Sequence, residues 1–242
     1  MPHARINGAK LWYEVRGQGE PILLHHGYTA SRLNWMPVAH RLQRMLDHLD
    51  IDRVTFAGHS MGGGIGYLLG LDHPDRLERL ILMAPIPAEG VGEITPELRA
   101  QRIEERRRGD RDAILARYRA MRFRDDVETE AWFESRAEHI LSVSDGHFER
   151  GAESMQALHV VDRLGDLTTP TLMIAGAVDS LLVPNLLDFM RLPNATLEVI
   201  MRAGHEVAVH EPERVAEAIT GFMTYGPVTA ATLMARLTAE GQ

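Results

Sequence analysis

The sequence predicts an α/β protein: a mostly parallel, doubly wound sheet with an inserted helical cap. Three observations carry this. Short, near-continuous apolar runs at 21–24, 51–56, 80–83, 171–175 and 196–200 alternate with helical stretches, as strands covered on both faces require. The 89–158 stretch is charged and helical, with no buried strand in it. Between them, Val54-Thr55-Phe56-Ala57-Gly58-His59-Ser60-Met61-Gly62 reads as strand, tight turn and helix start. A chain of 242 residues suits one such domain, with residues 1–88 and 159–242 as the core and 89–158 as a cap subdomain.

Taken in order, Asn7-Gly8 between two strand-like runs is a hairpin signal, because both positions tolerate positive φ. Residues 21–24 form a strand expected to be buried on both faces, ending at His25-His26-Gly27-Tyr28. Trp35, Val38, Ala39 and Leu42 recur at helical spacing, and 44–49 continues the helix up to the strand at 51–56. After the turn at Ser60, residues 65–71 read as a buried helix. Pro85-Ile86-Pro87 breaks the next strand. Helices follow at 96–108, 110–121, 129–141 and 146–158; the run Arg106-Arg107-Arg108 is expected to be a solvated helix end. Strands resume at 171–175 and 196–200, then a helix at 212–225 with proline in its first turn, and a last amphipathic helix at 229–239.

Composition narrows the function. A formal charge of −8 argues against nucleic acid and anionic membrane as main partners. With no cysteine there is neither a disulfide nor a thiolate metal site. No long apolar run follows the start, so no signal peptide is expected, and no stretch approaches the ~20 apolar residues that span a bilayer. The expectation is a cytoplasmic protein acting on a small molecule, without metal or organic cofactor, as a monomer or homodimer.

Chemistry concentrates where strands end, which is where ligands bind in parallel sheets. Ser60 stands in a Gly-x-Ser-x-Gly frame. A glycine-rich turn with a chance serine is the plain alternative. A serine nucleophile needs a base and an orienting carboxylate. Asp179 follows the strand at 171–175 and His205 the strand at 196–200, giving the chain order Ser, Asp, His. Among other histidines, His25 and His26 also lie at a strand end, and His26 is expected to brace its loop. His59 is expected to point away from Ser60, and His210 to be a structural residue at a helix start. For the acid, Asp188 reads as a helix-surface residue and Asp166 as a turn residue, and Glu206 adjoins the base but folds back on it poorly. Two oxyanion donors are expected, the backbone N–H groups of Met61 and Tyr28. Tyr28, Trp132, Phe133 and Phe148 are candidates to line the substrate pocket, with core packing as the alternative for the last three.

His26-Gly27-Tyr28, Gly58-His59-Ser60-Met61-Gly62, Gly176-Ala177-Val178-Asp179 and Gly204-His205 resemble the α/β-hydrolase fold superfamily over roughly residues 6–225. The chain is similar to the small bacterial esterase, lactonase and carbon–carbon hydrolase group with a helical cap. Dehalogenases and epoxide hydrolases of this fold carry Asp where Ser60 stands, so the resemblance disfavours them. It implies a serine hydrolase cleaving a carboxylic ester or lactone through an acyl-enzyme. The alternatives are a vinylogous diketone C–C hydrolase, or a non-catalytic ligand-binding member. A peroxidase-like side activity would use the same residues. There is one departure. Family members carry a strand, an Asp-x-x-Gly-x-Gly loop and most of a helix before the elbow strand, whereas Gln43 runs directly into Arg44, leaving about 30–40 residues absent.

Overall fold

A computed structural model describes residues 3–6, 9–13, 15, 20–25, 27, 51–92, 95–229, 232–234 and 238. The Gln43–Arg44 junction, the helix expected over 34–49, Tyr28 and His26 lie outside the described residues.

Strands β1 (His3–Ile6) and β2 (Ala9–Trp12) pair antiparallel with Ile6 opposite Ala9, and the Asn7-Gly8 turn expected between them lies outside the described residues. The main sheet holds β3 (Ile22–His25), β4 (Val54–His59), β5 (Leu77–Met83), β6 (Thr171–Gly176) and β7 (Ala195–Ile200), all parallel and hydrogen-bonded in that order. β4 and β6 are buried almost throughout, and β5 is buried over Leu80–Leu82, where its apolar run lies, while Glu78 is exposed. β3 departs from expectation. It ends the described sheet, and Ile22 and Leu24 stand 41% and 71% exposed instead of buried.

Helix α1 (Met61–Asp72) packs one face of the sheet. Ile65, Tyr67 and Leu69 join Phe56, Leu80, Leu82 and Met173 in one core. The other core gathers Ala57, Ile81, Leu172 and Ile174 under Val215 and Phe222 of α8 (Pro212–Tyr225). Two further core helices are α6 (Leu182–Phe189) and the single turn α7 (Val207–His210).

Between β5 and β6 run α2 (Pro96–Arg107), α3 (Arg111–Ala120), α4 (Glu130–Ser142) and α5 (Asp145–Ala157). Thr95, Asp110 and Thr129 cap the first three through side-chain oxygens. This segment has its own core of Ile114, Leu115, Phe133, Ala137, Ile140 and Phe148.

Two expectations are corrected by burial. Asp188 is not on a helix surface. It is buried, accepts from the Ala88 N–H at 2.8 Å and faces the Tyr67 hydroxyl at 3.4 Å, while the neighbouring Asn185 donates to Pro85 O at 2.8 Å. Those bonds fix the chain as it leaves β5, where no regular ladder satisfies it. Burial, ahead of its hydrogen bonds, raises the Asp188 pKa, and burial beside Asp188 pushes the Tyr67 hydroxyl well up. Arg106 is not a solvated helix end either, although Arg107 and Arg108 are exposed. Its guanidinium turns inward, donates to Ile140 O at 2.9 Å, to Val143 O and to Asp145, and lies over the Phe148 ring. It thereby satisfies carbonyls at the end of α4.

Strand and helix crowd together at Ser60. A Cβ on Gly58 would lie 2.2 Å from Gly62 O, so Gly58→Ala should cost about 3 kcal/mol or more, a drop of roughly 10 °C in thermal midpoint. Gly221, inside α8, has nothing within 4 Å of such an atom. There the same change should stabilise by about 0.5–1 kcal/mol. Thermal unfolding of the two variants checks both signs.

Candidate active site

Ser60 sits between the end of β4 and the start of α1 with φ 56° and ψ −116°, a strained conformation for a residue with a Cβ. Its backbone is held on every side. The N–H donates to Met83 O at 3.0 Å, and the carbonyl accepts from Gly63, Gly64 and Ile86. Gly27 approaches so closely that a Cβ there would be 2.8 Å from the Ser60 Cβ. The turn throws the hydroxyl clear of its own chain.

His205, in the loop after β7, places Nε2 2.9 Å from Ser60 Oγ, and its Nδ1 is 2.9 Å from Asp179 Oδ2. A carboxylate only accepts, so Nδ1 carries the proton and Nε2 offers its lone pair to the serine. Asp179, in the loop after β6, is buried, and its second oxygen accepts from the Leu181 N–H at 3.0 Å. Burial works to raise its pKa, but the hydrogen bond and charge of His205 and the Leu181 N–H prevail and hold it below the ordinary value. The structure thus brings Ser60, His205 and Asp179 into one hydrogen-bonded line. Met61 opens α1 beside them, at the positive end of the helix dipole.

Residues around the three support this line, and sequence reasoning passed over Arg124, Glu128 and Arg136 among them. His59 does not merely turn away from Ser60. Its ring lies 5.0 Å from the His205 ring, and Nε2 donates to the His205 carbonyl at 2.8 Å. Burial lowers its pKa, so the ring stays neutral. Glu206 pairs with Arg136 of α4 at 3.0 Å. His210 is structural, as expected: its Nδ1 accepts from the Gly204 N–H at 3.0 Å, and its Nε2 lies 3.3 Å from Glu128. Arg124 reaches across to Arg202 O and His210 O at 3.2 Å each and to Glu211 at 2.5 Å. A cluster of basic and acidic residues in a cap is an ordinary surface in sequence; only the fold reveals that these grip the loop of His205.

A cavity of about 710 Å³ opens over the line, with Ser60 and His205 on its floor and α2 to α5 as its roof. Phe148 lines it. Trp132 and Phe133 do not line it: Phe133 is buried in the helical core and Trp132 packs edge-on against it at 5.0 Å. α4 turns these rings into its own bundle, so core packing is their role. Among the described residues no cluster of three or more His, Cys, Asp or Glu is placed to hold a metal, and no helix is long and apolar enough to cross a membrane.

The sheet order, the elbow and the strand-end residues agree with a family comparison. The pattern of the alpha/beta hydrolase fold matches residues 36–212, and the chain belongs to that family. It is similar to a 2-hydroxy-6-oxononadienedioate/2-hydroxy-6-oxononatrienedioate hydrolase of Cupriavidus pinatubonensis, 30% identical over 207 residues, covering 78% of this chain and 66% of that one, just under two thirds of its length. The hydrolase of the same name from Paraburkholderia xenovorans is 27% identical over 259 residues, covering 93% of this chain and 86% of its own. Among solved structures, the enol-lactonase from Burkholderia xenovorans superposes with a TM-score of 0.71 at 19% identity, covering 92% of this chain and 98% of that one.

Acid should destabilise the fold in two steps, because each group binds its proton more weakly folded than unfolded. The contribution of neutral His59 is present above pH 6.5 and is lost as pH falls below it; that of Asp179 is present above pH 3.8 and is lost below. Denaturant unfolding from pH 7 to 3 should therefore show a shallower first step in His59→Gln and a shallower second step in Asp179→Asn. Unchanged slopes in both variants would contradict the assignment.

Proposed function

We propose that the protein is a serine hydrolase cleaving a carboxylic ester or lactone of a small, partly apolar substrate through an acyl-enzyme. The observation that carries this reading is the hydrogen-bonded line from Ser60 through His205 to Asp179 on the floor of a cavity. Ser60 Oγ attacks the acyl carbonyl as His205 Nε2 accepts its proton. Asp179 holds the imidazole and balances the charge it gains. The tetrahedral oxyanion is met by the N–H of Met61 and, from the loop after β3, that of Tyr28. His205 then protonates the departing alkoxide. A water deprotonated by His205 attacks the acyl-enzyme, and collapse returns Ser60 and the free acid. The helices α2 to α5 act as a cap that closes over the acyl group, with Phe148 in its wall. No step calls for a metal or cofactor. Family membership and likeness to proteins that include an enol-lactonase support hydrolysis at an acyl carbon.

A second reading is carbon–carbon bond hydrolysis of a vinylogous diketone. What favours it is that the two sequence relatives described above are named for hydrolysis of 2-hydroxy-6-oxo dienedioates. Profiling the purified protein on short-chain esters, lactones and vinylogous diketones separates the two. In either case Ser60→Ala should lower kcat by about 10⁶. Mass spectrometry should trap an acyl adduct on Ser60 in wild type and none in the variant. Full activity in Ser60→Ala, with its fold intact by circular dichroism, overturns the mechanism.

A further inference from the structure

Three arginines line the cavity over Ser60: Arg102 on α2, Arg117 on α3 and Arg136 on α4. Two are answered by carboxylates. Arg117 pairs with Glu105 at 2.6 Å, and Arg136 pairs with Glu206 at 3.0 Å and lies over the rings of Tyr118 and Trp132. Arg102 differs. Among the described residues it forms no hydrogen bond or ion pair at all, and its Nε, like that of Arg136, is sealed from solvent without a partner. The cavity wall also holds Ile140, Val143 and Phe148, whose side chains are apolar. The only carboxylate among the described lining residues is Glu206, already engaged by Arg136.

A guanidinium drawn partly out of water and left unpaired is costly, and an arriving anion offsets that cost. Its planar fork suits a carboxylate, which can accept from it at two points. The position is informative too. Ser60 and His205 are on the sheet side of the cavity, whereas Arg102 projects from the helical side. A cavity of about 710 Å³ has room for a substrate of several carbons between the two sides.

We propose that Arg102 is a specificity-determining residue that binds a free carboxylate at the end of the substrate remote from the scissile carbonyl, so that the preferred substrates are half-esters or lactones of dicarboxylic acids. This deepens the serine-hydrolase reading and rests on it for which end reacts. The test compares mono-4-nitrophenyl adipate with 4-nitrophenyl hexanoate, equal in acyl length and different only in the terminal charge. Wild type should show the higher kcat/KM on the adipate half-ester. Arg102→Gln should lower that value about 10–100-fold, as loss of a charge-assisted hydrogen bond does, and leave the hexanoate value unchanged. Arg102→Lys should retain part of the preference. Equal losses on both esters, or no loss on either, overturn the proposal. Adipate itself, followed by calorimetry with no turnover required, should bind wild type and fail to bind Arg102→Gln with an unchanged thermal midpoint. If neither ester is hydrolysed but adipate binding depends on Arg102, the hydrolase reading fails while the carboxylate subsite stands. If adipate binds both proteins alike, or neither, the subsite is refuted.

Discussion

One constraint governs this molecule: Ser60 must hold a positive φ that its side chain disfavours. Local sequence does not supply the energy for that; the surroundings do. Four backbone hydrogen bonds fix its peptide groups, and glycines at 27, 58 and 62 leave out the side chains that would push strand, helix and loop apart. The core on either face of the sheet locks β4 in place beneath it. Loosening that packing would let the turn relax, and the hydroxyl would leave the line it makes with His205.

The same logic extends to the imidazole. His205 sits on a loop, where flexibility is ordinarily greatest. Here it is restrained at Nδ1 by Asp179, at its carbonyl by His59, and through its neighbour Glu206 by Arg136. Restraint on both the ring and the backbone leaves the lone pair of Nε2 aimed at one target.

Much of this was legible in the sequence, and the rest was hidden for physical reasons. Fully buried parallel strands advertise themselves as apolar runs, so β4 to β7 were located within a few residues. The elbow was readable because close backbone contact leaves glycine behind. Side-chain direction was not readable. Asp188 looks like any helix-surface acid until Ala88 and Tyr67 are found against it, and Arg106 looks solvated until α4 presents its carbonyls. The rings of Trp132 and Phe133 were credited to the cavity because an aromatic pair in a helix does not say which way the helix is turned. Long-range pairs such as Arg124 with Glu211 leave no local trace at all. Helix α6 entered the sequence reading only through Asp188, without bounds, because Pro184 and Asn185 weaken its propensity, while its packing at 182–189 decides the matter.

The attachment of the helical segment to the core has a mechanical corollary. Arg124, Glu128 and Arg136 all grip residues that flank His205, between 202 and 211, and among the described residues none forms a hydrogen bond or ion pair with Ser60 or Asp179. The helical segment is thus tied to the proton acceptor and not to the hydroxyl, so substitutions at Arg124 or Arg136 bear on the imidazole first.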